Sequence, residues 1–115
     1  MEKPILAPAI QIVTTTAKRE DAEKIAGMLI EKRLAACVQI VGPILSMYHW
    51  KANIESAEEW QCLIKTRAAL YAEVEAAIKA VHPYETPEII ALPVLQGSRE
   101  YLAWLIDETR AASYP

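Results

Sequence analysis

The middle of the chain contains two neighbouring strand-like segments with no helical periodicity. The first runs from Leu34 to Ile40 (LAACVQI), is interrupted at Gly42-Pro43 by a bulge or bend, and resumes from Ile44 to Trp50 (ILSMYHW). The second, Glu59 to Lys65 (EWQCLIK), is rich in apolar and aromatic residues. Because the residues KAN that follow Trp50 predict a turn, with its asparagine in the left-handed conformation, the two segments predict a long β-hairpin.

An amphipathic helix is predicted on each side of this hairpin. In the first helix, apolar residues recur at helical spacing, at Ala22, Ile25, Ala26, Leu29 and Ile30. In the second helix, the apolar stripe consists of Leu70, Val74, Ala77, Ile78 and Val81. Thr16 and Thr66 are the predicted N-caps, and Pro83 ends the second helix because proline cannot continue it.

Two further strands complete the pattern. Residues 9–15 are β-branched and apolar and predict a central strand, whereas residues 88–95 contain Pro93, which predicts a sheet edge or a bulge. Gly97-Ser98 begins a last helix. The order is βαββαβ followed by a C-terminal helix, which is the α+β, ferredoxin-like arrangement. We expect one domain that spans residues 1–115.

This arrangement leaves one face of the sheet open. Two helices cover only one face of a four-stranded sheet, and a single C-terminal helix is too small to hide the other. The chain has three Trp and five Tyr but no Phe, and such amphipathic aromatic side chains suit half-buried subunit contacts. We therefore expect copies of the chain to associate through the open face.

Charge and composition exclude several classes of function. Lys and Arg number 12 against 15 Asp and Glu, a net charge of −3, which argues against nucleic acid as a partner. No apolar run is long enough to predict a membrane span, and the N-terminal stretch lacks the pattern of a signal peptide. Cys37 and Cys62 have no zinc-finger spacing, so we expect reduced, buried thiols and a cytoplasmic protein. No nucleophile motif or glycine-rich phosphate loop occurs, so we expect no enzyme activity.

Several short motifs identify a family when they are taken together and in order. They are RLAACVQI (33–40), SMYHW (46–50), Glu59, KT (65–66), HPYETPEI (82–89) and YLAWL (101–105). From Ile10 to Leu105 the sequence resembles the CutA, or divalent cation tolerance, family. The resemblance implies a homotrimer whose long hairpins join sheets between subunits, with an architecture similar to that of the PII signalling proteins. It also implies a link to divalent cations, since some members of the family bind copper.

The most specific of these motifs, HPYETPEI, holds the candidate metal ligands His82, Glu85 and Glu88. His82 offers a neutral imidazole at pH 7, the two carboxylates could join it, and copper or zinc is the expected ion. The resemblance also marks two departures, because some relatives carry Cys where this chain has Thr14 and His where it has Val81. The alternative for His82 is a structural role at the helix end, hydrogen-bonded to a late carbonyl.

Four further residues, Trp50, Glu59, Lys65 and Tyr84, predict a cleft between subunits. Lys65 would supply positive charge for a small anionic effector, and Tyr84 and Trp50 would supply an apolar wall. The alternative is an ion pair between Lys65 and a carboxylate that fixes strand register between subunits. Two functions are therefore compatible with the sequence: weak binding of divalent metal ions, and a PII-like signalling or scaffold trimer that takes an anionic effector or a partner.

Overall fold

A computed structural model of the protein describes residues 8–112 and contains the predicted order of elements. The elements are β1 (Ala9–Thr16), α1 (Arg19–Glu31), β2 (Cys37–Trp50), β3 (Asn53–Arg67), a 3-10 turn (Ala68–Leu70), α2 (Tyr71–Val81), β4 (Ile90–Val94) and α3 (Arg99–Asp107). The strands form one antiparallel sheet in the order β2-β3-β1-β4. The α+β, ferredoxin-like prediction is confirmed, with β1 central and Pro93 on the edge strand.

The core lies between this sheet and the apolar stripes of α1 and α2. Strands β1 and β3 contribute alternate residues, and the helices contribute residues at helical spacing. The largest of these side chains are fully buried, namely Ile12, Ile64, Ile25, Leu29, Val74 and Ile78. Burial of each such side chain stabilises the fold by roughly 1.5–3 kcal/mol. Among residues 8–112, no helix has the length and apolar character needed to cross a membrane.

The β2–β3 hairpin extends well beyond this core. The strands pair from Cys37 and Lys65 to Trp50 and Asn53, with a register shift between Val41 and Ile44 that confirms the predicted bulge. Strand β1 reaches β3 only as far as Trp60, so the outer part of the hairpin is two-stranded. The radius of gyration is 15.3 Å, whereas a compact domain of this length is expected to have about 13 Å. The hairpin therefore projects from the body of the protein.

The outer part of the hairpin exposes large apolar side chains. Leu45, Met47 and Ile54 are 72%, 70% and 71% exposed. Met47 and Leu45 lie on the same side of β2, two residues apart, and Ile54 lies opposite His49 at the end of the ladder. Clustered exposed apolar side chains on a projecting hairpin are typical of a surface that another protein chain covers.

Two predicted helix caps are wrong, in each case because the threonine hydroxyl donates to a backbone carbonyl. Thr16 does not cap α1, since its Oγ1 donates to the carbonyl of Lys18 at 2.8 Å and the cap position is Lys18. Thr66 does not cap α2, since its Oγ1 donates to the carbonyl of Leu34 at 2.7 Å.

The hairpin turn is also tighter than predicted. Asn53 already belongs to β3, and Lys51 and Ala52 have positive φ angles of 49° and 68°. A two-residue hairpin turn of type I′ has positive φ at both central positions, so the left-handed conformation belongs to these residues and not to Asn53.

The C-terminal helix covers part of the sheet face opposite α1 and α2. Ser98 Oγ accepts a hydrogen bond from the amide of Tyr101, which confirms the predicted start of the helix. At its other end, the Arg67 guanidinium donates to the carbonyls of Ile106 at 2.6 Å and Thr109 at 3.0 Å. These bonds attach the end of α3 to β3 and leave the hairpin half of this face uncovered.

Two glycines give a matched test of this packing. An added Cβ at Gly42, in the bulge, would lie 2.5 Å from Cδ1 of the half-buried Trp60, whereas one at Gly27, on α1, would meet nothing within 4 Å. We expect Gly42→Ala to lower the free energy of unfolding by about 1–3 kcal/mol. Gly27→Ala should raise it by about 0.5–1 kcal/mol, because alanine favours the helix. Urea unfolding at one protein concentration measures both, and equal effects would contradict the close approach at Gly42.

Candidate functional site

A cleft of about 720 Å³ lies between the hairpin and the loop that follows α2. The hairpin side of the cleft includes Tyr48, His49, Trp50 and Glu59. The loop side includes Tyr84, Glu85 and Glu88. The cleft therefore brings together residues that are far apart in sequence, and five of them belong to the predicted metal or effector sets.

The loop reaches this position because α2 ends abruptly. Pro83 cannot extend the helix and disfavours helical geometry at the residue before it, so His82 takes an extended conformation with φ −71° and ψ 132°. His82 Nε2 then donates to the carbonyl of Thr15 at 2.8 Å, since a carbonyl can only accept. Its Nδ1 accepts from the amide of Tyr84 at 3.1 Å. These two bonds tie the loop to the end of β1.

The Tyr84 hydroxyl completes the connection between the loop and the hairpin. It donates to Oε2 of Glu59 at 2.6 Å, a short distance that is typical of a hydroxyl bonded to a carboxylate. Glu59 is only 5% exposed, and no Lys, Arg or His among residues 8–112 forms a salt bridge with it. Burial, and then the hydrogen bond to Glu59, raise the pKa of Tyr84 well above its ordinary value.

Lys65 does not join this cleft within one chain. It lies six residues beyond Glu59 on the same strand, which is a separation of roughly 20 Å, and its ammonium group donates to the Gln39 side chain. Three of the four predicted cleft residues, Trp50, Glu59 and Tyr84, do line the cleft. None of the lining residues that the structure describes is a lysine or an arginine. The cleft is therefore acidic.

The predicted metal set is divided between two places. Glu85 and Glu88 line the cleft, whereas His82 does not, and both nitrogens of its ring are used in hydrogen bonds. These bonds support the structural alternative, although the acceptor is the Thr15 carbonyl on β1 and not a carbonyl of the helix. Within residues 8–112, no group of three or more His, Cys, Asp or Glu side chains is arranged to hold a metal ion. The three-residue metal set stays a prediction.

The sequence contained a signal for one lining residue that we did not assign to the site. Tyr48 lies two residues from Trp50 on β2, so strand alternation places both side chains on one face. Tyr48 lines the cleft together with Trp50. No comparable signal predicted that the loop after α2 would cross to the hairpin, because that position depends on tertiary contacts.

The two cysteines are free, and Cys62 is fully buried. The Cys62 thiol donates to the carbonyl of Ala22 at 3.6 Å, and burial raises its pKa to about 11. A thiol with a raised pKa is a poor nucleophile and a poor metal ligand at neutral pH. Cys37 is half-buried on β2, so the expectation of two buried thiols is right only for Cys62.

An antiparallel βαββαβ sheet, two helices on one face and a projecting central hairpin define a ferredoxin-like α+β protein. The model of the family described as CutA1 divalent ion tolerance protein matches residues 10–108. The chain therefore belongs to the CutA1 divalent ion tolerance family.

Relatives of known name and structure agree with this assignment. The divalent-cation tolerance protein CutA of Archaeoglobus fulgidus is 48% identical over 98 residues, which cover 85% of this chain and 94% of that protein. The corresponding protein of Thermus thermophilus is 42% identical, over 85% of this chain and 95% of that protein. The crystal structure of CutA1 from Oryza sativa has a TM-score of 0.89 at 38% identity, and covers 93% of this chain and 98% of that chain.

The bond between Tyr84 and Glu59 predicts a dependence of stability on pH. Folding raises the pKa of Tyr84 above its ordinary value of 10.0, so the protonated hydroxyl contributes fully to stability below pH 10. That contribution is lost as the pH rises from 10 toward the raised pKa. Tyr84→Phe should lower the free energy of unfolding by about 1.5–3 kcal/mol at pH 8, because a buried carboxylate loses its donor. The difference from wild type should therefore shrink as the pH rises above 10.

Urea unfolding at several pH values measures both effects. Tyr48→Phe is the control, since the Tyr48 hydroxyl has no hydrogen bond to the described residues. A difference between wild type and Tyr84→Phe that grows above pH 10 would contradict the assigned bond.

Proposed function

We propose that the protein acts in divalent-cation tolerance by binding divalent metal ions weakly in the acidic cleft, as part of a homotrimer. One observation carries this proposal: Glu59, Glu85 and Glu88 line one cleft, and no described lining residue is a lysine or an arginine. Carboxylates attract divalent cations by charge and supply oxygen ligands, and a neighbouring imidazole adds affinity for copper or zinc. His49 is the lining residue that could provide that imidazole.

The carboxylates of Glu85 and Glu88 are the proposed ligands in this chain. Glu59 is buried and already accepts a hydrogen bond from Tyr84, so its main contribution is negative charge. In this proposal His82 is a positioning residue, because its bonds to Thr15 and Tyr84 hold the loop that carries the ligands. The donor set fits copper or zinc only in part, as oxygen ligands outnumber nitrogen ligands.

Weak binding follows from how few ligands one chain supplies. Within the described residues no set of three or more ligands is arranged around a single point. A bound ion would therefore keep water molecules in its coordination shell, or would take further ligands from neighbouring copies. A tolerance protein that buffers metal ions needs only modest affinity, so the geometry is compatible with the family's name.

The homotrimer is supported by the surfaces that one chain leaves uncovered. The outer hairpin exposes Leu45, Met47 and Ile54, and the exposed fraction of each is about 70%. Strand β2 is an edge of the sheet, so its outward backbone groups are available to pair with another chain. The trimeric arrangement itself is the one that resemblance to the family implies, with hairpins joining sheets around a threefold axis.

The alternative, an anionic effector in the cleft, has less support. An anion would meet Glu59, Glu85 and Glu88, and Lys65 of the same chain is roughly 20 Å from Glu59 along the strand. Only a lysine from a neighbouring copy could supply the missing charge. The acidic cleft and the net charge of −3 likewise support the expectations of no nucleic-acid partner.

Two other expectations stay predictions. The absence of enzyme activity is supported by the raised pKa values of Tyr84 and Cys62, which make both groups poor nucleophiles at neutral pH. The cytoplasmic location is supported by the free thiols of Cys37 and Cys62.

Calorimetric titration with Cu²⁺ and Zn²⁺ tests the metal proposal. The double variant Glu85→Gln/Glu88→Gln should bind at least about tenfold more weakly than wild type, a loss of roughly 1.4 kcal/mol or more. Glu55→Gln/Glu58→Gln removes the same charge from exposed hairpin positions outside the cleft and should bind as wild type does.

His82→Gln separates the two roles of the histidine in the same titration. The His82→Gln variant should keep most of the heat of Cu²⁺ and Zn²⁺ binding, because in this proposal His82 positions the loop and is not a ligand. Loss of binding in this variant, with Glu85→Gln/Glu88→Gln unaffected, would make His82 the ligand and would contradict the proposed carboxylate site.

A further inference from the structure

The cleft is aromatic as well as acidic. Tyr48, Trp50 and Tyr84 line it together with Glu59. A hydrated metal ion gains little from aromatic walls, because its first shell is water and ligand oxygen. An organic cation gains from them directly, since an ammonium group is attracted to the face of Trp or Tyr and its carbon substituents are buried against the ring.

The size of the cleft also fits an organic ligand. Its volume of about 720 Å³ falls within the roughly 300–1,000 Å³ range of small-molecule sites. Such sites combine apolar and aromatic walls with a few polar groups that fix orientation. Here the walls are Tyr48, Trp50 and Tyr84, and the polar groups are carboxylates.

Glu59 supplies the charge that a cationic ligand would neutralise. The exposed fraction of Glu59 is 5%. Among the described residues, the one hydrogen-bond partner of its side chain is the Tyr84 hydroxyl, which carries no positive charge. Buried carboxylates are ordinarily paired with a cation, because leaving water is costly for an isolated charge. No described residue forms a salt bridge with Glu59, so this buried carboxylate has no ion-pair partner within the described part of the chain.

Trp50 already lies next to an ammonium group of the same chain. The Nζ of Lys51 is 5.6 Å from the centre of the Trp50 ring, within the distance at which a cation is attracted to an aromatic face. Trp50 is 38% exposed, so its ring surface is still partly available. Because Lys51 already supplies a cation to this ring, Trp50 offers an apolar wall for the body of a ligand and is not the site of its ammonium group.

We propose that the cleft binds an organic ammonium ion with a short apolar body. The ammonium group lies near Glu59, beside the rings of Tyr48 and Tyr84, and the apolar body extends along the hairpin toward Trp50. This proposal goes beyond binding of divalent metal ions and does not depend on it. Neutral molecules of the same shape lack the attraction to Glu59, and anions are repelled by it.

The test uses two cations and one neutral compound on the full-length protein in buffer with EDTA. Butylammonium, butyltrimethylammonium and pentan-1-ol are titrated while the indole N–H signal of Trp50 is followed by NMR. Both cations should shift that signal with millimolar dissociation constants, and pentan-1-ol should bind at least about tenfold more weakly. Equal binding by the alcohol, or no shift with either cation because a neighbouring copy fills the cleft, would overturn the proposal.

Matched variants locate the site by calorimetry. Glu59→Gln keeps an oxygen that can accept the hydrogen bond from Tyr84 but removes the negative charge, and Trp50→Leu removes the aromatic ring. Each variant should weaken the binding of butyltrimethylammonium roughly tenfold. Glu58→Gln and Trp104→Leu change the same residue types outside the cleft and should have no effect. Equal weakening by the control pair would overturn the assignment to the cleft.

EDTA keeps this outcome separate from the metal proposal. Binding of the ammonium ions with no heat from Cu²⁺ or Zn²⁺ would remove the metal site and leave this inference intact. Heat from Cu²⁺ or Zn²⁺ without binding of either ammonium ion would leave the metal proposal intact and would overturn this inference.

Discussion

The backbone pairing of β2 with β3 is the constraint on which the rest of the structure depends. Beyond Trp60, β3 has lost its second neighbour, so the outer hairpin is a two-stranded ribbon with both faces outside the main core. A two-stranded ribbon is at best marginally stable in water by itself. One of its faces is stabilised by the loop after α2, and the apolar side chains of Leu45, Met47 and Ile54 remain for another chain to cover.

The cleft is a consequence of the way that loop is attached. His82 fastens the start of the loop to β1, and Tyr84 fastens it to Glu59 on the hairpin. Each bond joins elements that are distant in sequence, so the two bonds together hold the two walls of the cleft in place. The same contacts place a buried carboxylate among aromatic rings, with Glu85 and Glu88 nearby. Cations, whether metal ions or organic ammonium ions, suit this environment because no lysine or arginine is among the described lining residues.

Much of the fold could be predicted because local pattern and tertiary structure agree. The bulge at Gly42-Pro43, the edge position of Pro93 and the cap at Ser98 all follow from properties of single residues. The cap at Thr16 was mistaken because its hydroxyl donates to the carbonyl of Lys18, two residues along the chain. The cap at Thr66 was mistaken because its hydroxyl donates to the carbonyl of Leu34, which only the tertiary structure brings near. The candidate site was predicted less well for the same reason. Glu59 and Lys65 are both polar residues in an apolar strand, and only the position of the loop shows which of them belongs to the cleft.

We propose that three copies of this chain form the functional unit, because the hairpin of one copy leaves large apolar side chains exposed. Sedimentation equilibrium measures this most directly, with the protein at micromolar concentration. The account predicts a single species with three times the mass of one chain, and a shift toward smaller species when Leu45 and Met47 are replaced by polar residues. A stable, fully folded monomer of the unaltered protein at the same concentration would contradict it.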